Sequence, residues 1–268
     1  MVNQFNDRKS QTVVISQSMY FPWCGLIDQI RLSDVFVHYD DVQLSRGFYN
    51  RVQVKNPTGF SWLTIPIQQR SQKQNISNSI ISYHEDWVAR HRSILVESYR
   101  KTNFIDEAIS LFDRVHTKKF EVLSELGRAT IVALAEYFDL DNEIQFVDAA
   151  DLIDNGERSR RLCDIVLSIG GTVYLTGHGA LNYLNHSLFE LNGVEVRYMD
   201  YKFHEYSQLH GAFTPYVTAL DAVAHLGVGA KGVLASRTQN WRKAVERPEK
   251  LRARICREHK KNGQGCMS

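Results

Sequence analysis

The chain has 268 residues, 43% hydrophobic and 11% aromatic, enough for one sizeable core or two small ones. Charged residues make up 23%, which argues against wholesale disorder. The most apolar long run, ALDAVAHLGVGAKGVLA, is broken by Asp221, His225 and Lys231, so no membrane span is expected. Net charge is +2 but uneven: from Lys231 onward eleven Lys/Arg oppose three Asp/Glu, a balance of +8, leaving −6 for the 230 residues before it. The body is therefore no electrostatic match for a polyanion, and nucleic acid is not an expected partner. The cysteines, Cys24, Cys163, Cys256 and Cys266, follow no zinc or redox spacing. The opening MVNQFNDRKS lacks the apolar core of a signal peptide, and a cytoplasmic protein is expected.

Residues 1–11 read as a disordered start. Thr12–Ser16 is an apolar, β-branched run that predicts a buried strand. Pro22 opens a helical pattern carrying Leu26, Ile27 and Ile30, and Val35–Tyr39 reads as a second strand. Strand, helix and strand at this spacing predict a parallel βαβ crossover. FYNRVQVK and FSWLTIPI flank Asn56-Pro-Thr-Gly59, a hairpin signal. A helical insert is expected over about 86–138, in the pieces Asp86–Arg100, Phe104–Val115 and Lys118–Phe138. Ile144–Val147 predicts a strand, SRRLCDIVLSIGG a helix closed by Gly170-Gly171, and Thr172–Leu175 a further strand. A short helical pattern then leads from Thr176-Gly-His-Gly179 into the strand Val194–Tyr198. The fold expected is α/β: a mainly parallel sheet covered by helices, with a β-hairpin and a helical insert. One domain spans 12–236, followed by a basic tail over 237–268.

In open parallel sheets, ligands bind beyond the carboxyl ends of the strands. Four such ends are polar or glycine-rich here: Gln17-Ser18, Asp40-Asp41-Val42-Gln43, Gly177-His178-Gly179 and Tyr201–Gln208. Asp40 and Asp41 are neighbours on an extended segment and point opposite ways. One of them suits the orienting of a histidine, while the other caps a turn or pairs with Arg46 or Arg51. A turn-forming Asx pair is the structural alternative. His204 sits among hydrogen-bonding side chains and suits acid/base work near neutral pH. His178 lies between two glycines that permit close ligand approach. Cys24 near a helix start is either a nucleophile or, more simply, a small buried filler. No phosphate-loop, dinucleotide, nucleophile-elbow or zinc-protease motif is present, and no metal site is expected.

The ordered motifs resemble those of the WbqC-like family, bacterial proteins encoded among O-antigen and related polysaccharide genes. Val14-Ile-Ser-Gln-Ser-Met-Tyr-Phe-Pro-Trp-Cys-Gly25 is similar to that family's I-x-Q-P-x-Y-F-P-x-x-G. Phe36–Gln43 follows, with Arg46, Asn50 and Arg51 in an R-x-x-x-N-R frame, then Trp62–Pro66 and Trp87, His91 and Tyr99. Tyr174–Gly177, Tyr201–Gln208 and Phe213–Asp221 resemble Y-L-S-G, H-x-Y-x-Q and F-x-P-x-L-S-x-x-D, and the resemblance covers about 13–228. Three positions depart from it: Ser18 replaces a proline, which is expected to loosen its turn, while His178 and Cys24 replace other residue types.

The resemblance implies a role in surface-glycan assembly, with transfer of a glycyl or other acyl group to an amino sugar as the lead. An amine attacking a thioester must lose a proton, and the tetrahedral oxyanion needs donors. On that reading His204 is the base, and Asp40 or Asp41 orients it or contacts the amine. Gln17, Tyr20, Gln43, Arg46, Asn50, Arg51, Gly177, His178, Tyr206 and Gln208 contact substrate. The acyl donor is a carrier-protein or coenzyme A thioester, with no resident cofactor. The alternative is a non-catalytic module that binds a sugar nucleotide or a carrier protein. A glycosyltransferase would need a D-x-D motif, which is missing.

Overall fold

The β-branched run Thr12–Ser16 forms β1, and the pattern after Pro22 forms helix α1 over Cys24–Arg31. This computed structural model describes residues 10–45, 47–68, 74–153, 156 and 158–246. Strand β2 (Val35–His38) pairs parallel with β1, with Val14 opposite Phe36. The hairpin follows as β3 (Arg51–Asn56) and β4 (Gly59–Thr64), a separate antiparallel pair. Its turn is fixed by Asn56, whose side-chain oxygen accepts from the amide and hydroxyl of Thr58.

Helices α2 (Trp87–Tyr99), α3 (Ile105–Val115) and α4 (Leu123–Tyr137) make up the predicted insert. Next come β5 (Gln145–Asp148), α5 (Arg158–Ser168), β6 (Val173–Thr176), α6 (His186–Leu191) and β7 (Glu195–Asp200). Helix α5 ends as the Gly-Gly pair predicts. Gly170 takes φ +74°, its amide reaches the Leu167 carbonyl and the Gly171 amide that of Val166, a paired closure that satisfies two end carbonyls. Helix α7 (Leu220–Leu226), β8 (Arg237–Asn240) and α8 (Trp241–Val245) complete the described chain.

The main sheet runs β5-β2-β1-β6-β7-β8, parallel except for β8. Strand order therefore grows outward from β1 in one direction as far as β5. It then restarts beside β1 with β6, so the topological switch point lies between β1 and β6. Both faces are covered. Val14, Phe36, Leu175 and Met199 pack against α1 and the insert, while Val13, Val35, Tyr174 and Val196 pack against α5 and α6. Alternation along each strand thus feeds two cores, as a doubly covered sheet requires.

Two boundaries differ from the expectation. The basic tail expected from 237 begins instead with β8, hydrogen-bonded to β7 with Asp200 opposite Arg237. Residues 247–268 lie outside the described residues, as do 1–9 of the expected disordered start. Gln11 exchanges backbone and hydroxyl bonds with Thr172 at the amino edge of the sheet. Among the described residues, no helix is long and apolar enough to cross a membrane.

Candidate functional site

Gln17 and Gly177 follow neighbouring parallel strands, so the switch point opens between them. The β1–α1 loop, residues 17–23, is built into this crevice by bonds from separate segments. Ser18 gives its amide and its hydroxyl to the two carboxylate oxygens of Asp40, each at 2.7 Å. The Tyr20 amide reaches the Tyr49 carbonyl. Thr130 on α4 accepts from the Phe21 amide and donates to the Met19 carbonyl, both at 3.0 Å. Thr218 donates to the Phe21 carbonyl at 2.8 Å. Phe21 itself sits at φ +38°. An aromatic residue there carries on the order of 1–3 kcal/mol of strain, sustained only when its surroundings over-determine the backbone.

This clamping buries nearly the whole loop. Ser18, Met19, Tyr20, Phe21, Pro22 and Cys24 are buried, and only Gln17 and Trp23 keep part of their surface open. The Gln17 side-chain amide makes no hydrogen bond among the described residues. The Trp23 ring lies over Gly25, where an added Cβ would sit 2.3–2.5 Å from three ring carbons, so that glycine is needed for the ring's position. Trp23 meets Tyr201 at 5.2 Å, Phe203 at 5.8 Å and Tyr216 at 5.7 Å between ring centroids. His178 packs edge-on against Tyr201 at 5.6 Å. All five rings are partly exposed. They form an aromatic platform at the carboxyl ends of β1, β6 and β7.

The acidic pair behaves differently from its sequence expectation. Asp40 is fully buried, and Arg128 adds a third donor at 2.8 Å while also pairing with Asp148. Burial pushes the Asp40 carboxyl up, opposed by its bonds to Ser18 and Arg128. It is a clamp between strand ends. Asp41 faces the other way and pairs with Arg161, whose guanidinium also bonds the Ile153 carbonyl and lies over Tyr39 at 4.9 Å.

Ser18, His38 and Asp40 contain the residue types of a hydrolytic triad in another connectivity. The single Ser18 hydroxyl proton goes to Asp40, so His38 Nδ1–H donates to Ser18 Oγ at 2.9 Å. In a triad the histidine takes the serine proton and the carboxylate holds the histidine. Here all three are buried, and burial lowers the imidazole to about 4. No activated nucleophile results. Cys24 is likewise buried, and burial, with Asp221 and Asp28 nearby, raises its thiol. It fills space.

The expected pairing of His204 with Asp40 or Asp41 is absent. His204 is exposed, and its Nδ1 bonds the Gly232 carbonyl at 2.9 Å. Its segment leaves the strand end and runs across the 227–233 turn toward α7, whereas both aspartates are saturated by α4 and α5. Other expected contacts are also internal. The Tyr20 hydroxyl lies in the core between His91 and His116. Asn50 bonds the Ile65 carbonyl, and Arg51 bonds the Gly47 carbonyl and stacks on Trp62. Gln43 is exposed beside Asn75, and Arg46 lies outside the described residues. Tyr206 and Gln208 both bond the buried Asp221.

Of the expected substrate contacts, Gln17, Gly177 and His178 are the ones gathered at the switch point. Trp23, Tyr201 and Tyr216 share no sequence signal that marks them as a group. Trp23 lies inside an expected helix start, and Tyr216 is far along the chain. The described residues contain no group of three or more His, Cys, Asp or Glu placed to hold a metal.

Five parallel strands reversing order beside β1, with a polar and aromatic crevice at the reversal, define a doubly wound α/β protein. The chain belongs to the WbqC-like protein family, whose sequence profile matches residues 17–232. It is similar to the uncharacterized protein Rv1507c of Mycobacterium tuberculosis, with 29% identity over 226 residues, 83% of this chain and 96% of that one. The crystal structure of CmiS6 aligns over 71% of this chain and 58% of its own at 12% identity, with a TM-score of 0.15 that carries no argument.

Proposed function

We propose that this protein binds an amino sugar, presented as a nucleotide-linked donor, in the crevice between β1 and β6, and that it serves surface-glycan assembly. The carrying observation is the β1–α1 loop, which is rigidly clamped yet leaves only Gln17 and Trp23 open. An amide beside a partly exposed aromatic platform matches the chemistry of a sugar, whose hydroxyls need hydrogen bonds and whose ring faces are apolar. A loop ordered before binding loses less entropy when the ligand arrives. The glycan context comes from the family resemblance.

Acyl transfer to the sugar amine is a second reading, favoured by His178 on the same rim. In that reading the sugar amine attacks the thioester carbonyl, the C–S bond breaks to release the carrier thiol, and His178, rather than His204, takes the amine proton. Calorimetric titration with UDP-N-acetylglucosamine, UDP and the free amino sugar tests binding. Trp23→Ala is expected to weaken it about tenfold, near the upper end of one aromatic contact. Absence of heat with all three ligands would sink the binding reading. Mass-spectrometric assay with acyl-thioester donors tests transfer, and turnover unchanged in His178→Ala would remove the assigned base.

A further inference from the structure

The 201–216 segment supplies Tyr201, Phe203 and Tyr216 to the platform, yet it belongs to no helix or named strand. Of its sixteen residues Gln208 alone is buried. Tyr201, Phe203 and Tyr206 pack on the core, but a segment of this length outside regular structure also needs polar bonds to fix its backbone. Residues 202–204 are tied to Ser236, Val233 and Gly232, and His210 to the Ser98 carbonyl, whereas most bonds of residues 206–212 converge on two groups outside the segment. Asp221 Oδ1 accepts from the Tyr206 hydroxyl at 2.5 Å and from Gln208 Nε2 at 2.8 Å. Lys55 Nζ, on β3, donates to Gln208 Oε1 at 3.0 Å and to the carbonyls of Gly211 at 2.9 Å and Ala212 at 2.7 Å. Gln208 also accepts from the Thr214 amide and donates to its carbonyl. The amide orientation is thereby fixed: its oxygen meets the ammonium and its nitrogen meets the carboxylate.

We propose that Gln208 is a positioning residue, joining Lys55 to Asp221 in a latch that holds residues 206–216 so that the Tyr216 ring meets Trp23. This rests on the reading of the crevice given above. A neutral relay suits the place because it satisfies a buried cation and a buried anion at once, and each would be costly alone. Tyr206 supports the same carboxylate, and His225 closes it from α7. The His225 Nδ1–H reaches the Asp221 carbonyl at 2.7 Å, while Nε2 accepts from the Leu209 amide at 3.0 Å. Tyr99 and Cys24 complete the titratable groups facing Asp221. Tyr206 and Gln208, expected from the sequence to touch substrate, act here through the platform.

The test is amide hydrogen exchange of the ligand-free full chain, read by mass spectrometry. In Gln208→Glu the nitrogen donor facing Asp221 becomes a second carboxylate oxygen. At pH 8 the 206–216 amides are expected to exchange about tenfold or more faster than in wild type, the loss of one charge-assisted bond. The core strands β1 and β6 are expected to keep their protection. Near pH 5 the excess over wild type should shrink, because a protonated glutamate again donates to Asp221. Exchange equal to wild type at both pH values, or loosening shared equally by the core strands, overturns the latch.

Tyr206→Phe removes the 2.5 Å bond to Asp221 and the longer one accepted from Gln208 Nε2, and serves if Gln208→Glu does not fold. Faster exchange confined to the segment supports the latch, and unchanged exchange overturns it. Wild-type titration with UDP-N-acetylglucosamine is run in parallel. If wild type does not bind while the segment loosens as expected, the crevice reading fails and the latch stands.

Discussion

Ser18 and Asp40 tie the ends of two adjacent parallel strands together through an amide and a hydroxyl bond, each 2.7 Å long. The serine stands where the family pattern has proline, a residue with no N–H to give. The departure expected to loosen the turn instead fastens it. Ser18→Ala is expected to lower unfolding free energy by about 1.5–3 kcal/mol, the range for a bond to a charged group. Ser18→Pro should cost a similar amount through the lost amide. Asp40→Ala should cost about 3 kcal/mol, since it strips partners from Ser18 and Arg128 together. Urea denaturation measures all three, and a loss below 0.5 kcal/mol in Asp40→Ala, near the roughly negligible range for surface sites, would refute the clamp.

Acid is expected to weaken the fold through buried imidazoles. Burial lowers His38 to about 4 and His91 to about 3, while the unfolded chain protonates near the ordinary value of about 6.5. Between these limits the unfolded state binds more protons, so stability falls as pH drops below 6.5 toward 4, and further toward 3. Each histidine contributes at most about 1.4 kcal/mol per pH unit. Denaturation curves across that window should show the slope reduced in His38→Gln. A slope identical to wild type would remove His38 as a source.

Gly25→Ala tests whether the Trp23 ring depends on a missing side chain. The added methyl would lie 2.3–2.5 Å from ring carbons, so the indole must leave its present place beside Tyr201 and Tyr216. Over-packing at such a contact costs roughly 1–3 kcal/mol. Sugar-nucleotide affinity is expected to fall as far as in Trp23→Ala, with a changed near-ultraviolet dichroism. Wild-type affinity in this variant would show that the ring's position is not what the ligand uses.

His204→Ala is expected to be nearly silent. The side chain is exposed and, among the described residues, bonds the Gly232 carbonyl alone, so stability should change by no more than about 0.5 kcal/mol. Ligand binding at the crevice should match wild type. A large loss of binding would return His204 to the site from which its geometry removes it.

The sequence determined the layers. Alternating and continuous apolar runs placed β1, β2 and the insert helices, Asn56 and Gly59 set the hairpin turn, and Gly170 set the end of α5. Each of these is written in a segment's own spacing, because side-chain period and turn chemistry act over a few neighbouring residues. Even the crevice between Gln17 and Gly177 could be anticipated from the order of strands. Tertiary structure alone decided which polar groups are open and which are consumed. Asp40 and Asp41 look equivalent in sequence, yet one is saturated by Ser18 and Arg128, 22 and 88 positions away, and the other by Arg161. Gln208 reads as a substrate contact until Lys55, 153 residues earlier, is found bonded to it. Hydrogen-bond partners and burial are fixed by how distant segments pack, and no local period encodes them.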